Sequence, residues 1–300
     1  MVAYIDGIYR TASTKLKGNG VLSESIRVTQ GVKQGDPLSS VLYNLVIDYA
    51  LAALDGQIGT SVAGAPLNHL AFADDMILLA RTREGLQAQV NRFVSELAKA
   101  GLTLNAAKCA TMATVVNGKT RQWACDPTPY LKISNEHVPA KSVTDTYRYL
   151  GIEMTVKGSN SKLVQRLNAG LERISKAPLK PQQRVWFLQQ NLLPAMIHEA
   201  TLAKTTLGEL KNLDMRIRSA VRSWLKLPKD TTVPFFYASV EDGGLGLTCL
   251  RFWIPPIRAN RLRNAAVSED PVVKAIVRTS GFRRELSKWS KQSIFKDLNM

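Results

Sequence analysis

LAFADDMILLA, residues 70–80, sets two adjacent carboxylates, Asp74 and Asp75, inside an otherwise apolar run. Burying one unpaired carboxylate is costly, and two side by side repel each other unless a proton or cation intervenes. Aspartate suits turns, so the stretch reads as a β-hairpin with LAFA and MILLA as strands and the two aspartates as its tip. Two readings follow. In one the tip is solvated and does no chemistry. In the other it lies in a cleft, where both carboxylates face a divalent cation whose hard charge prefers oxygen ligands. The stretch alone leaves both open.

Upstream, residues 26–54 run IRVTQGVKQGDPLSSVLYNLVIDYALAAL. A short alternating strand over 26–29 meets a glycine-punctuated loop and then a helix. Asp36 is a good N-cap and Pro37 suits the first helical position. Leu38, Val41, Leu42, Leu45 and Tyr49 recur at helical spacing and predict the inward face. Downstream, Leu86, Val90, Phe93, Val94 and Leu97 form the stripe of a second helix, with Gly101 just past its end. A strand over 102–105 follows. Strand, helix, hairpin, helix, strand is the order of a layered α+β fold, an antiparallel sheet with helices on one face. Asn117-Gly118 marks a tight hairpin. YRYLGIEMT, residues 147–155, reads as a strand whose glycine lets another backbone approach. The low-hydrophobicity stretch VKGSNS, 156–161, is the expected boundary.

The 300 residues suffice for a sizeable core, and 45% hydrophobic with 21% charged residues is ordinary for a globular chain. No signal-peptide pattern or uniformly apolar run of about 20 residues occurs, so neither secretion nor membrane spanning is expected. Cys109, Cys125 and Cys249 are far apart, and His69, His137 and His198 form no HxxxH pair. A zinc site or disulfide framework is not indicated, and Cys109 is expected to be a buried small hydrophobe rather than a nucleophile.

Charge is uneven. Residues 1–159 carry 16 Lys/Arg against 13 Asp/Glu, a net of +3, and residues 160–300 carry 24 against 11, a net of +13, out of +16 in all. Such a field favours a polyanion, nucleic acid before a membrane surface, since no basic amphipathic anchor stands at either end. A merely solubilising surface is the alternative. The C-terminal half is helical and proline-punctuated. Leu163, Leu167 and Ile174 line one helix, and 181–193 form another. In the helix expected over 208–227, Leu210, Leu213, Ile217, Val221 and Trp224 share a face. Lys211, Arg218, Arg222 and Lys226 form a stripe roughly opposite, which either rides on phosphates or is simply solvated. A glycine-rich turn, VEDGGLGL, precedes a tail with Arg251, Arg258, Arg261, Arg263, Arg283 and Arg284.

GVKQGDPLSSVLYNL at 31–45, FADD at 72–75, GLTLNAAKC at 101–109 and YRYLGI at 147–152 together resemble the successive palm motifs of reverse transcriptases. The resemblance is closest to non-long-terminal-repeat (type-1) retrotransposons, in particular the clade inserting into ribosomal RNA genes. EDGGLGLTCLRFWIPPIRANRLR resembles the segment beyond that clade's thumb. The resemblance implies a right-hand polymerase: a partial palm over 1–158, a mainly helical thumb over 159–232 and a basic post-thumb segment over 233–300. It implies RNA-directed DNA polymerisation in target-primed reverse transcription, with an RNA template, a DNA primer or target DNA and dNTPs as partners, no membrane, and action in the nucleus. Asp74 and Asp75 are then the metal carboxylates. Two Mg²⁺ ions, or Mn²⁺ in their place, about 3.5 to 4 Å apart would activate the primer 3′-hydroxyl and stabilise the leaving pyrophosphate. Gly31, Gln34 and Gly35, with Phe72 and Ala73, line the nucleotide and template. Asp36 and Pro37 fit a plain strand-to-helix turn. Lys108 lies near the triphosphate, where it could neutralise or protonate pyrophosphate; a solvated lysine is the alternative. Tyr149, Leu150 and Gly151 resemble the primer grip, or else an ordinary edge strand.

The chain also departs from the family pattern. A third metal carboxylate, in a D-x-x-x-A-F-D strand, is not found, and Asp6 reads as a surface residue. The fingers, cysteine/histidine knuckle and endonuclease of such polyproteins are not seen either, so the chain is expected to be an internal fragment. The alternative function is a catalytically incomplete nucleic-acid-binding piece that lacks the first metal aspartate.

Overall fold

The computed structural model describes residues 2–28, 31–33, 35–116, 118–119, 122–156 and 158–293. The chain forms two compact units, one of Met1–Thr60, Asn68–Ala106 and Leu131–His137, the other of Ser61–Leu67, Ala107–Tyr130 and Val138–Met300. It is α+β, with helices beside small antiparallel sheets. The single layered sheet expected from the motif order is not formed among the described residues, where no sheet exceeds three strands.

In the first unit, helix α1 (Val2–Arg10) precedes short ribbons, one of which pairs Ser13–Thr14 with Ile26–Arg27. Asp6 is on the surface of α1, paired with Arg10 at 2.7 Å. Helix α2 (Pro37–Ala52) starts as anticipated: Pro37 opens it and the Asp36 carboxylate accepts the N–H of Leu38. Its inward face is different. Val41, Leu45 and Tyr49 are exposed, whereas Ile47, Ala50 and Leu51 are buried with Leu54. The helix is apolar nearly all round, so periodicity identified two faces and packing chose the other. Helix α3 (Arg83–Lys99) is capped by Thr82 and buries Val90, Phe93 and Leu97. Phe93 and Leu97 join the α2 residues in one core, with Met76, Leu78, Leu102 and Leu104 packed against it. Burying such side chains stabilises by roughly 1.5–3 kcal/mol each. Residues 102–105 form no strand among the described residues, yet Leu102 and Leu104 keep the alternation and pack against the core.

Two glutamines hold this unit in ways periodicity did not show. Gln89, buried in α3, donates to the carbonyls of Asp55 and Ile58 and fixes the loop after α2. Gln87 exchanges two 2.8 Å bonds with the backbone of Lys132 and so acts as its strand partner.

In the second unit, Ala113–Val116 pairs with Trp123–Asp126 as the expected ribbon; Asn117 of its turn lies outside the described residues. YRYLGIEMT is a hairpin rather than one strand: Tyr147–Tyr149 pairs with Ile152–Thr155, and Gly158–Asn160 adds a third strand. Helix α4 (Leu163–Lys176) buries Leu163, Leu167, Leu171 and Ile174. Helix α5 (Pro181–Phe187) does not stop near 193 but passes through a π-helical turn, Leu188–Leu192, into α6 (Leu193–Leu202). That wider turn lets the chain remain helical into Pro194. Helix α7 (Leu207–Leu225) has a capping box in which Thr206 and Glu209 satisfy each other's backbone N–H groups. It buries the five anticipated apolar residues plus Asp214. Helices α8 (Val233–Tyr237), α9 (Leu250–Ala266), α10 (Pro271–Val277) and α11 (Ser280–Ser293) complete the unit. The α4, α6 and α7 faces share a core with Phe236, Leu247, Leu250 and Ile254.

Candidate functional site

The hairpin His69–Phe72/Asp75–Leu78 is antiparallel, with Phe72 opposite Asp75 and Ala71 opposite Met76. Its tip is therefore Ala73-Asp74, not Asp74-Asp75 as expected, and Asp75 begins the second strand. Directly paired residues share a face. Met76 and Leu78 pack toward the α2–α3 core, so Asp75, one residue before Met76, takes the other face together with its partner Phe72. Both Asp74 and Asp75 are exposed. Ala73 sits in the left-handed region at φ 53°, an unfavourable conformation for a residue with a Cβ. The core on one side and the strained turn at the end present two adjacent carboxylates to solvent.

Helix α2 flanks this tip. Burial, with a smaller contribution from the Asp74 charge, pushes the Tyr43 phenol above its usual range. Val41, Asn44, Leu45 and Asp48 face Ala71, Phe72 and Ala73 across a cleft of about 510 Å³. Sequence periodicity had placed Val41 and Leu45 in the core and so missed this cleft. Gly31 and Gly35, in the loop before α2, have φ of 80° and 88°, and among the described residues a Cβ added to either would meet no atom within 4 Å. Conformation rather than packing demands glycine there. Ser39 and the N–H of Asp36 both donate to the Lys33 carbonyl and hold this loop on α2. Gln34 lies outside the described residues.

Two carboxylates are a donor set suited to a hard cation that takes its other ligands from phosphates and water, as Mg²⁺ commonly does. Among the described residues, no group of three or more His, Cys, Asp or Glu stands together as a metal site.

The remaining predicted site residues belong to the second unit. Lys108 ends a short 3₁₀ turn, Ala106–Lys108. Burial pushes its neighbour Cys109 above the usual thiol range, as suits an unreactive thiol. Tyr149 closes the hairpin whose loop is Leu150-Gly151, both left-handed at φ 47° and 80°. On α7 the anticipated cationic stripe is divided. Lys211 and Lys226 are exposed, Lys226 serving as the left-handed C-cap. Arg218 and Arg222 are half-buried: Arg218 donates to the Tyr237 hydroxyl, and Arg222 donates to the Thr231 carbonyl and stacks on Phe236. These two arginines pin α8 and its approach. Sequence reasoning also missed a cleft of about 740 Å³ between α4, α5 and α7, lined by Arg184, Arg216, Lys226, Ser219 and Ser223.

A hairpin presenting two carboxylates, a glycine loop seated on a capped helix and a basic helical unit agree with comparison to known proteins. The chain belongs to the reverse transcriptase (RNA-dependent DNA polymerase) family, whose model matches residues 3–154. It is 39% identical over 264 residues to the Retrovirus-related Pol polyprotein from type-2 retrotransposable element R2DM of Drosophila melanogaster, covering 88% of this chain and 25% of that protein. It is 35% identical over 276 residues to the Pol polyprotein from type-1 retrotransposable element R2 of Nasonia vitripennis, covering 91% and 27%. A Bradysia coprophila R2 polyprotein is 36% identical over 265 residues, covering 88% and 30%. The chain thus spans about a quarter to a third of the length of these relatives.

Proposed function

We propose that these residues are part of an RNA-directed DNA polymerase of a non-long-terminal-repeat retrotransposon. The carrying observation is the hairpin register, which puts Asp75 on the outer face beside Asp74 at the turn. In this reading 1–158 is palm, 159–232 thumb and 233–300 a basic extension. Substrates are an RNA template, a DNA primer or target and dNTPs, and the site of action is nuclear. Asp74 and Asp75 would hold Mg²⁺, with Mn²⁺ as substitute; when bound, the ions supply charge neutralisation at the triphosphate and a more acidic primer hydroxyl. The Gly31–Gly35 loop, including Gln34, lines the nucleotide and template with Phe72 and Ala73. Lys108 neutralises the departing pyrophosphate. Tyr149, Leu150 and Gly151 carry the primer end. Phosphate contact falls first to the exposed Lys211 and Lys226, and less to Arg218 and Arg222, whose guanidinium groups already donate to Tyr237 and Thr231.

Primer extension on RNA with Mg²⁺ tests this, using the full-length polypeptide that carries these residues. Asp74→Asn or Asp75→Asn should lower extension on the order of a thousandfold or more. Because both side chains are exposed, the thermal midpoint should not move. Unchanged extension in both variants would refute the assignment.

A second reading is that this chain by itself binds nucleic acid without turnover. It is favoured by the lack of a three-carboxylate cluster among the described residues. Binding by the isolated chain that falls steeply with salt, without incorporation, would support it.

A further inference from the structure

The loop Leu150-Gly151 carries a local conflict. Two-residue hairpin loops with both residues left-handed favour Asn-Gly or Gly-Gly, because a side chain at the first position is strained. Leucine occupies that position here, at φ 47°. Something outside the hairpin must hold it. His198 stands against the loop: its Nε2 is 2.9 Å from the Leu150 carbonyl oxygen. A Cβ on Gly151 would meet Cδ2 and Nε2 of the same ring at 3.5 Å, so the imidazole also lies against Gly151. With the Nε2–H tautomer the ring donates to Leu150.

The helix bearing His198 is itself fixed. Glu199, its buried neighbour, accepts the backbone N–H of Lys162 and the guanidinium of Arg166, tying α6 to the start of α4. Arg258 donates to the carbonyls of Ala200 and Ala203 at the end of α6. The N–H of Lys204, just past the helix, donates to Ser159 on the third strand of the hairpin's own sheet. A helix held this way is a rigid reference, and His198 transmits its position to the hairpin tip.

We propose that His198 is a positioning residue that sets the Tyr149–Leu150–Gly151 turn against α6, so that a primer strand resting on the turn presents its 3′ end in one register. The proposal rests on the reading of that turn as the primer-contacting element. It assigns His198 no contact with the reacting atoms. It acts through the Leu150 carbonyl.

The test compares His198→Ala with His198→Gln, whose amide can donate to the same carbonyl, in the full-length polypeptide. His198→Ala should slow single-turnover extension of prebound primer by about 10- to 100-fold, the loss typical of a misplaced reactant, with the thermal midpoint and the KM for dNTP unchanged. His198→Gln should recover most of the rate. Wild-type rate in His198→Ala overturns the proposal, as does an equal loss in both variants accompanied by a lowered thermal midpoint. Asp74→Asn separates the two ideas: if it also extends at the wild-type rate, the polymerase reading has failed. Amide exchange at residues 149–152 of this chain needs no activity. Exchange should be faster in His198→Ala and restored in His198→Gln; no difference from wild type overturns the positioning role whatever the fate of the polymerase reading.

Discussion

The carboxylate of Asp214, on α7, accepts the backbone N–H of Leu250 at 2.8 Å and that of Arg251 at 3.0 Å. Cys249, at the N-cap of α9, supplies no side-chain cap of its own; Asp214 caps that helix from another element. Burial pushes the Asp214 carboxyl upward, against the lowering effect of the two N–H groups. Asp214→Asn keeps the shape but leaves one oxygen for the two backbone N–H groups and the Cys249 thiol. It should destabilise the second unit by about 1–3 kcal/mol, the range for an orphaned buried donor. A urea midpoint equal to wild type would show that the cap contributes nothing.

The thiol of Cys249 donates to the same carboxylate at 3.3 Å. Burial, then the Asp214 charge, push this thiol up to about 11, whereas an unfolded cysteine titrates at about 8.5. Between those values the folded state keeps a proton that the unfolded state has lost. The contribution is complete below about pH 8.5 and is lost as pH rises toward the folded value. Urea midpoints of wild type should therefore fall more steeply over that window than those of Cys249→Ala. Parallel curves for the two proteins would contradict this.

Two glycines make a graded pair. A Cβ on Gly244 would lie 2.3 Å from the carbonyl oxygen of Ala238, and one on Gly170 would lie 2.5 Å from a methyl of Leu192. The first obstacle is backbone, held by the bonds from Leu245 and Leu247 to Phe235 and Phe236. The second is the end of a side chain with other rotamers. Gly244→Ala should cost about 3 kcal/mol or more and Gly170→Ala about 1–2 kcal/mol, the scale of overpacking. Thermal unfolding of both variants should rank them in that order.

What could be read from sequence divides along a physical line. Helix α7 was legible because its apolar positions form one narrow stripe, and the start of α2 because Asp36-Pro37 is a local signal. The inward face of α2 was not, since Tyr43, Ile47 and Leu51 compete with Val41, Leu45 and Tyr49 at the same period. The FADD hairpin was legible as a hairpin, but its tip was displaced by one residue because alanine in a left-handed turn has no sequence signal. YRYLGIEMT hid a turn for a related reason: the partner that steadies Leu150 is His198, 48 residues away. The division of the cationic stripe was likewise set by Tyr237, Thr231 and Phe236, whose relation to Arg218 and Arg222 is tertiary.

That division predicts different consequences for four cations on one helix. Lys211 and Lys226 are exposed, so replacing both with alanine should leave the unfolding free energy within about 0.5 kcal/mol of wild type. If they contact phosphates, nucleic-acid binding should weaken across sequences, and the log–log salt dependence should shallow by about one per lost contact. Arg218 and Arg222 carry the same charge but hold Tyr237, Thr231 and Phe236. Their alanine variants should lower stability by about 1–3 kcal/mol through the lost bonds and packing. They should change the salt slope less than the lysine pair does. Filter binding at several salt concentrations, read beside urea unfolding, separates the cases. A shallower slope in Arg218→Ala or Arg222→Ala with full stability would restore both arginines to the phosphate surface and make their internal bonds incidental.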